Sequence, residues 1–332
     1  MSTWKDTMRQ AWIRIAVGLL LTVALYAGVM YYFSHNAYYM QILSLACINV
    51  ILAVSLNLIN GFTGQFSIGH AGFMGVGAYM AAFLTKEAGL PFLVALAGGF
   101  LFSAAIGLLV GAPTLRLRGD YLAIATLGFG EIIRVVITNM DRVGGPRGYG
   151  GVRPLTNFTW AYVVAVFTVI VIKHFIDSTH GRACLSIRED EIAAEAMGIN
   201  TTRYKVLAFS IGAGFAGLAG GLFAHLLTFL HPTSFNFLKS VDYLVMVVVG
   251  GWGSLTGPIG AAVALTVLNE LLRRFADWRM VVYALILIGT MLLRPKGILG
   301  GMEFSFAGMK GLWQKHIFPI LRTRGRSPHG SA

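Results

Sequence analysis

Charge is what this sequence has least of. Only 12% of its 332 residues are Asp, Glu, Lys or Arg, against about 25% in a soluble domain. A soluble enzyme of this size could not cover its surface so sparsely. Disorder is excluded too, because it needs high charge and few apolar residues. Acids are the scarcer sign, 14 against 26 bases, for a formal net charge of +12. Cysteine is almost absent. Cys47 lies in an apolar run and Cys184 in a polar stretch, so there is no disulfide scaffold and no zinc, iron–sulfur or thioredoxin spacing. No GxxxxGK[ST] loop occurs, so the chain should not hydrolyse nucleotides by itself. HExxH, GxSxG and paired intramembrane aspartates are also missing, which leaves an intramembrane enzyme without a catalytic constellation.

What is present is apolar and small. Hydrophobic residues make up 56% of the chain and there are 41 glycines. Crossing the hydrocarbon core takes about 20 apolar residues. Apolar runs fall near 15–33, 39–59, 71–85, 91–113, 121–140, 159–176, 205–230, 240–250, 258–272 and 279–293, the third, eighth and ninth of them short. The expectation is an all-α polytopic transmembrane bundle of about ten spans, with glycine-broken helices. The first run follows Lys5, Arg9 and Arg14 and is too long for a signal-peptide core, so it reads as an uncleaved anchor. Residues 1–14 form an amphipathic segment with Trp4, Met8, Trp12 and Ile15 on one stripe. Residues 15–301 form the transmembrane bundle, and 302–332 a basic interfacial and disordered tail on anionic lipid. Seventeen Lys and Arg fall on the side of the termini and eight on the other, which places both termini in the cytoplasm. The seven bases beyond residue 293 make the net charge a membrane signature, with no nucleic-acid partner implied.

Four features carry more than span information. The uncharged stretch Asn57–Gly72 contains four glycines, at 61, 64, 69 and 72. It is either a short surface connection or non-helical backbone lining a wet cavity. A second glycine break, Gly250–Gly260, resembles it in position between an apolar run and an Ala/Gly-rich helix start. Ala213, Gly217 and Gly221, with Ala216, Gly220 and Ala224, form two small-residue ridges for close helix packing. Glu131 and Arg134, at i and i+3 inside a span, can pair. His70 and His225 read as hydrogen-bonded packing residues. No chain of acids crosses the spans, which argues against proton coupling.

The polar segment from Gly181 reads GRACLSIREDEIAAEAMGINTTRYK. Its composition favours a short helix over 187–198 within the loop 177–204 that joins two spans. Glu189, Asp190 and Glu191 lie where the helix dipole favours acids, and Gly198 suits a C-cap. Asn200 or Thr201 can cap the next span.

Glu191-Ile192-Ala193-Ala194-Glu195-Ala196-Met197-Gly198 is similar to the Glu-Ala-Ala…Gly loop of ABC-importer membrane subunits. INGFTGQFSIGHAGFMGVGAYMAAFL at 59–84 resembles the branched-chain amino acid permeases. So do LRLRGDYLAIATLGFGEIIR at 115–134, VVVGGWGSLTGPIGA at 247–261 and LLRPKGILG at 292–300. The LivM type of permease fits best. Where that family commonly has Thr-Gly-Gly-Pro, this chain has Val143-Gly144-Gly145-Pro146, followed by Arg147.

The resemblance implies one permease subunit of an ABC importer for leucine, isoleucine or valine. Its partners would be a second permease subunit of the LivH type, two ATPase subunits and an extracytoplasmic substrate-binding protein. ATP and Mg would be used by the ATPases, with no cofactor and no metal on this chain. Its location would be the bacterial inner membrane. Glu191, Ala193, Ala194, Glu195 and Gly198 would form the coupling helix that docks on an ATPase. Gly64, Gln65, Ser67, His70 and Gly72, with Glu131, are candidates for the translocation pathway. Arg142, Arg147 and Arg153 would dock the binding protein. A urea or short-amide importer, or a secondary transporter working without ATPases, are the alternatives.

Overall fold

The computed structural model describes residues 22–275 except Arg116 and Arg118, together with Gly18, Leu20 and a few positions between 281 and 292. The amphipathic segment 1–14, most of the tenth expected span and the tail 302–332 lie outside the described residues. Those described are almost entirely helical, with no strand beyond one isolated bridge between Tyr149 and Leu230.

The helices are α1 (Thr22–Phe33), α2 (Ala37–Asn57), α3 (His70–Lys86), α4 (Phe92–Thr114), α5 (Asp120–Thr138) and α6 (Phe158–Asp177). They continue with α7 (Thr179–Glu189), α8 (Glu191–Ala196), α9 (Thr201–Leu227), α10 (Phe237–Gly250) and α11 (Thr256–Leu271). Five are long and apolar enough to cross a membrane: α4, α5, α6, α9, and α2 with its π-helical extension to Phe62. From α6 to α10 every start is marked by a side-chain cap: Asn157, Ser178, Asp190, Asn200 and Asn236 each accept a backbone N–H from the first turn. These caps satisfy donors that the helix itself cannot.

α9 is the axis of the bundle and packs most extensively on α4 and α3, then on α2. Its apolar window is 78% buried, against 22% for α5 at the periphery. The two small-residue ridges explain the closeness. A Cβ on Gly77 of α3 would lie 2.2 Å from Gly217 of α9, and one on Gly220 would lie 2.0 Å from the Met74 carbonyl. Ser103 of α4 ties three helices together, its Oγ lying 2.9 Å from both the Phe73 and the Ala213 carbonyl oxygens. His225 bonds to Thr85 at 2.9 Å and to the Gly221 carbonyl at 2.7 Å, as a packing residue.

The expected helix over 187–198 is instead two helices. Asp190 takes an extended backbone (φ −157°, ψ 111°) and its carboxylate accepts from the N–H groups of Ile192 and Ala193. An Asp in that conformation is a strong N-cap, so the acid cluster straddles a junction rather than leading one helix. Gly198 then turns with φ +84°, and Asn200 caps α9.

Candidate functional site

The two glycine breaks, almost 200 residues apart in sequence, are side by side at the α7–α8 end of the bundle. α2 runs on through a π turn, Leu58–Phe62. The Asn57 side chain holds the other break: Oδ1 accepts from Gly253 N–H at 3.1 Å, and Nδ2 donates to the Ser254 carbonyl at 2.7 Å. A Cβ on Gly61 would lie 2.5 Å from the Gly253 nitrogen, so only glycine permits this approach. Phe66 and Trp252 stack across the same junction at 5.9 Å.

Arg188, at the end of α7, lies against both breaks. Its Nη1 donates to the Gly61 carbonyl at 3.1 Å, and its Nε to Glu189 at 3.1 Å. Gly64 and Gly253 both have φ +73° and both face Arg188. On the same helix, burial pushes the Cys184 thiol up to about 11.

The pathway candidates separate by position. Gly64 sits on Arg188 at the surface. Gln65, Ser67 and His70 are buried. Asn60 grips the Ser67 backbone through both its amide atoms, and His70 Nε2 lies 2.9 Å from Ser55 Oγ. The Gln65 amide, the Ser67 hydroxyl and His70 Nδ1 make no hydrogen bond among the described residues. A buried polar group left in that state costs about 1–3 kcal/mol.

Gly72 and Glu131 do come together. Gly69 and Gly72 pack on Thr126 and Gly130 of α5. Next to them opens a cleft of about 270 Å³ lined by Glu131, Arg134, Thr233, Asn236, Phe237 and Leu238. A narrower crevice continues inward from it, past Ser240, to Gly69 and Gly72. Glu131 pairs with Arg134 Nε at 2.6 Å and accepts the Phe237 N–H at 3.2 Å. Glu131 lies about 16 Å along α5 from its start, so the cleft is at mid-depth. Sequence reasoning missed Asn236, Phe237 and Leu238. The signal was Asn236 itself, an N-cap residue type ahead of an apolar run, which starts α10 three residues before the expected 240.

The coupling candidates divide between the α9 side and the surface. Ala194 is buried. Glu191 pairs with the nearly buried Lys205 at 2.6 Å, and Glu195 accepts from Thr201 at 2.7 Å. Ala193 and Gly198 are exposed. The large apolar side chains on this end are Ile192 (69% exposed) and Met197 (83% exposed).

At the opposite end, loop 139–157 is pinned by backbone bonds from Tyr149 to Leu230 and from Val152 to Thr228. Tyr149 donates to Glu87 at 3.1 Å and lies under Lys86. Burial, helped by that bond, pushes its phenol up to about 12. Arg142, Arg147 and Arg153 are exposed on this loop.

An apolar helical bundle with two glycine breaks, a polar cleft midway along α5 and an appended helix pair fits a membrane transport subunit. The chain belongs to the family described as branched-chain amino acid transport system / permease component, whose model matches residues 38–293. It is 38% identical over 316 residues to the high-affinity branched-chain amino acid transport system permease protein LivM of Salmonella typhimurium, covering 85% of this chain and 74% of that protein. To LivM of Escherichia coli it is 37% identical over the same coverage. LivH of Salmonella typhimurium is 32% identical over 145 residues, 43% of this chain and 47% of that protein.

Proposed function

We propose that this chain is one of two permease subunits of an ABC importer that carries leucine, isoleucine or valine across the bacterial inner membrane. The observation that carries the ATP-driven reading is the α7–α8 pair, which presents Ile192 and Met197 outward while Glu191 and Glu195 anchor it to α9. Paired ATPase subunits would seat on Ile192, Ala193 and Met197, with Ala194 and Gly198 shaping the helix pair beneath. This puts α7–α8 and both termini in the cytoplasm, in a bundle of about ten spans built over 15–301.

The second permease, of the LivH type, would cover α5, whose half-exposed Glu131 and Arg134 cannot face lipid cheaply. Substrate would pass between the two subunits along the Glu131 cleft and the Gly72 crevice. Its ammonium suits Glu131, its carboxylate suits Arg134 and the α10 N-terminus, and its aliphatic side chain suits Phe237 and Leu238. An extracytoplasmic binding protein would deliver it to the arginine-bearing loop.

The test is reconstitution in liposomes. The chain with its second permease, ATPases and binding protein should take up branched-chain amino acids only with ATP, and the chain alone should not. Ile192→Asp with Met197→Asp should prevent ATPase capture. Uptake by the isolated chain would defeat the reading.

A further inference from the structure

We propose that Arg188 is the positioning residue that carries movement of α7–α8 into both glycine breaks at once. The proposal rests on the reading that ATPase subunits act on α7–α8. Three contacts meet at this side chain. Nη1 is bonded to the Gly61 carbonyl in the π turn that ends α2. The same atom would lie 2.6 Å from a Cβ on Gly253, so the second break is seated directly on it. Nε donates to Glu189, whose side chain is 72% exposed. One guanidinium therefore spans from a surface carboxylate to a backbone carbonyl at the membrane-side break. Asn57 bonds the two breaks to each other, so displacing one displaces both.

The segment under Arg188 has a reason to move. The buried polar atoms without a hydrogen bond among the described residues are concentrated in it: both amide atoms of Gln65, Ser67 Oγ and His70 Nδ1. Buried polar groups are ordinarily paired. A rearrangement that paired these atoms would give the segment a second state, as a switching element requires. Arg188 holds it in the one seen. A planar fork can serve Gly61 and Glu189 together, whereas a lysine ammonium is a point charge on a flexible stem and does so less well.

The experiment uses the complete complex in liposomes, comparing wild type, Arg188→Ala and Arg188→Lys. The readout is amino acid imported per ATP hydrolysed, alongside the amount of assembled complex. Arg188→Ala should lower that ratio by about tenfold, within the range over which single residues modulate coupling between sites, while assembly and ATP hydrolysis persist. Arg188→Lys should restore part of it. An unchanged ratio in Arg188→Ala, or a loss of uptake matched by equal losses of ATP hydrolysis or assembly, overturns the proposal. If Arg188→Ala does not assemble, an assembled Arg188→Lys complex with the wild-type ratio overturns it equally. A wild-type complex without ATP-dependent uptake overturns the parent reading, and this one with it.

Discussion

Asn57 treats Gly253 as a strand neighbour would, accepting its N–H while donating to the next carbonyl, that of Ser254. One side chain at the end of α2 thus satisfies two backbone groups of a segment that has lost its own helical partners. Asn57→Leu should leave both unsatisfied, at about 1–3 kcal/mol each. Thermal unfolding of the purified subunit in detergent should fall accordingly, and Asn57→Asp should fall too, because it sets a second acceptor against the Ser254 carbonyl in a buried site.

The α3–α9 contact predicts a contrast between glycines. Gly77→Ala forces a Cβ within 2.2 Å of the Gly217 backbone, an overpacking that costs about 1–3 kcal/mol. Gly128→Ala on α5 meets nothing within 4 Å and should gain up to about 1 kcal/mol from helix propensity. Paired melting curves of the two variants check the sign of each.

Glu131→Gln keeps an oxygen for the Phe237 N–H but removes the charge proposed to meet a substrate ammonium. A hydrogen bond to a charged group contributes about 1.5–3 kcal/mol, so half-saturation for uptake should rise by about tenfold or more. ATP hydrolysis by the complex should continue. Unaltered half-saturation would remove Glu131 from the pathway.

Cys184 gives a pH prediction with a definite sign. Burial raises its thiol from 9.0 to about 11 in the folded protein. Below pH 9 the thiol is protonated whether the chain is folded or not, and its burial costs no charge. Between 9 and 11 the unfolded chain ionises and the folded one does not, so stability falls as pH rises through that window. Replacing Cys184 by Ser should reduce the loss of thermal stability between pH 9 and 11, read from melting curves of the two proteins across that window.

Replacing Arg142, Arg147 and Arg153 together by Ala should slow capture of the binding protein. The effect should be large at low salt and fade at high salt, because steering by exposed charge is screened. Binding kinetics at two ionic strengths decide it, and identical on-rates would dismiss the loop as a docking site.

Most helix positions were legible because long apolar runs have few alternatives in a bilayer. The run 91–113 is helix Phe92–Thr114, and 159–176 is Phe158–Asp177. The Glu131–Arg134 pair was legible as well, since i and i+3 on a helix fixes the neighbours. Three things were not. The junction at Asp190 depends on one side chain choosing to cap rather than to continue a helix. The meeting of Gly61 with Gly253 is a contact between distant segments that neither sequence specifies alone. The burial of Ala194 and the tethering of Glu191 and Glu195 to Lys205 and Thr201 follow from packing on α9, and composition reports no facing direction.

The π turn at Leu58–Phe62 has a consequence for register. Each residue advances an α-helix by about 100°, so the extra residue in this turn sets Gly61 and Phe62 out of phase with the rest of α2. Deleting one residue between 58 and 62 would remove the wide turn that carries Gly61 against Gly253. A frame of this kind tolerates many substitutions along its spans yet is sensitive to the loss of a single position. Insertions and deletions, more than changes of side chain, would mark where this permease stops being able to hold its two breaks together.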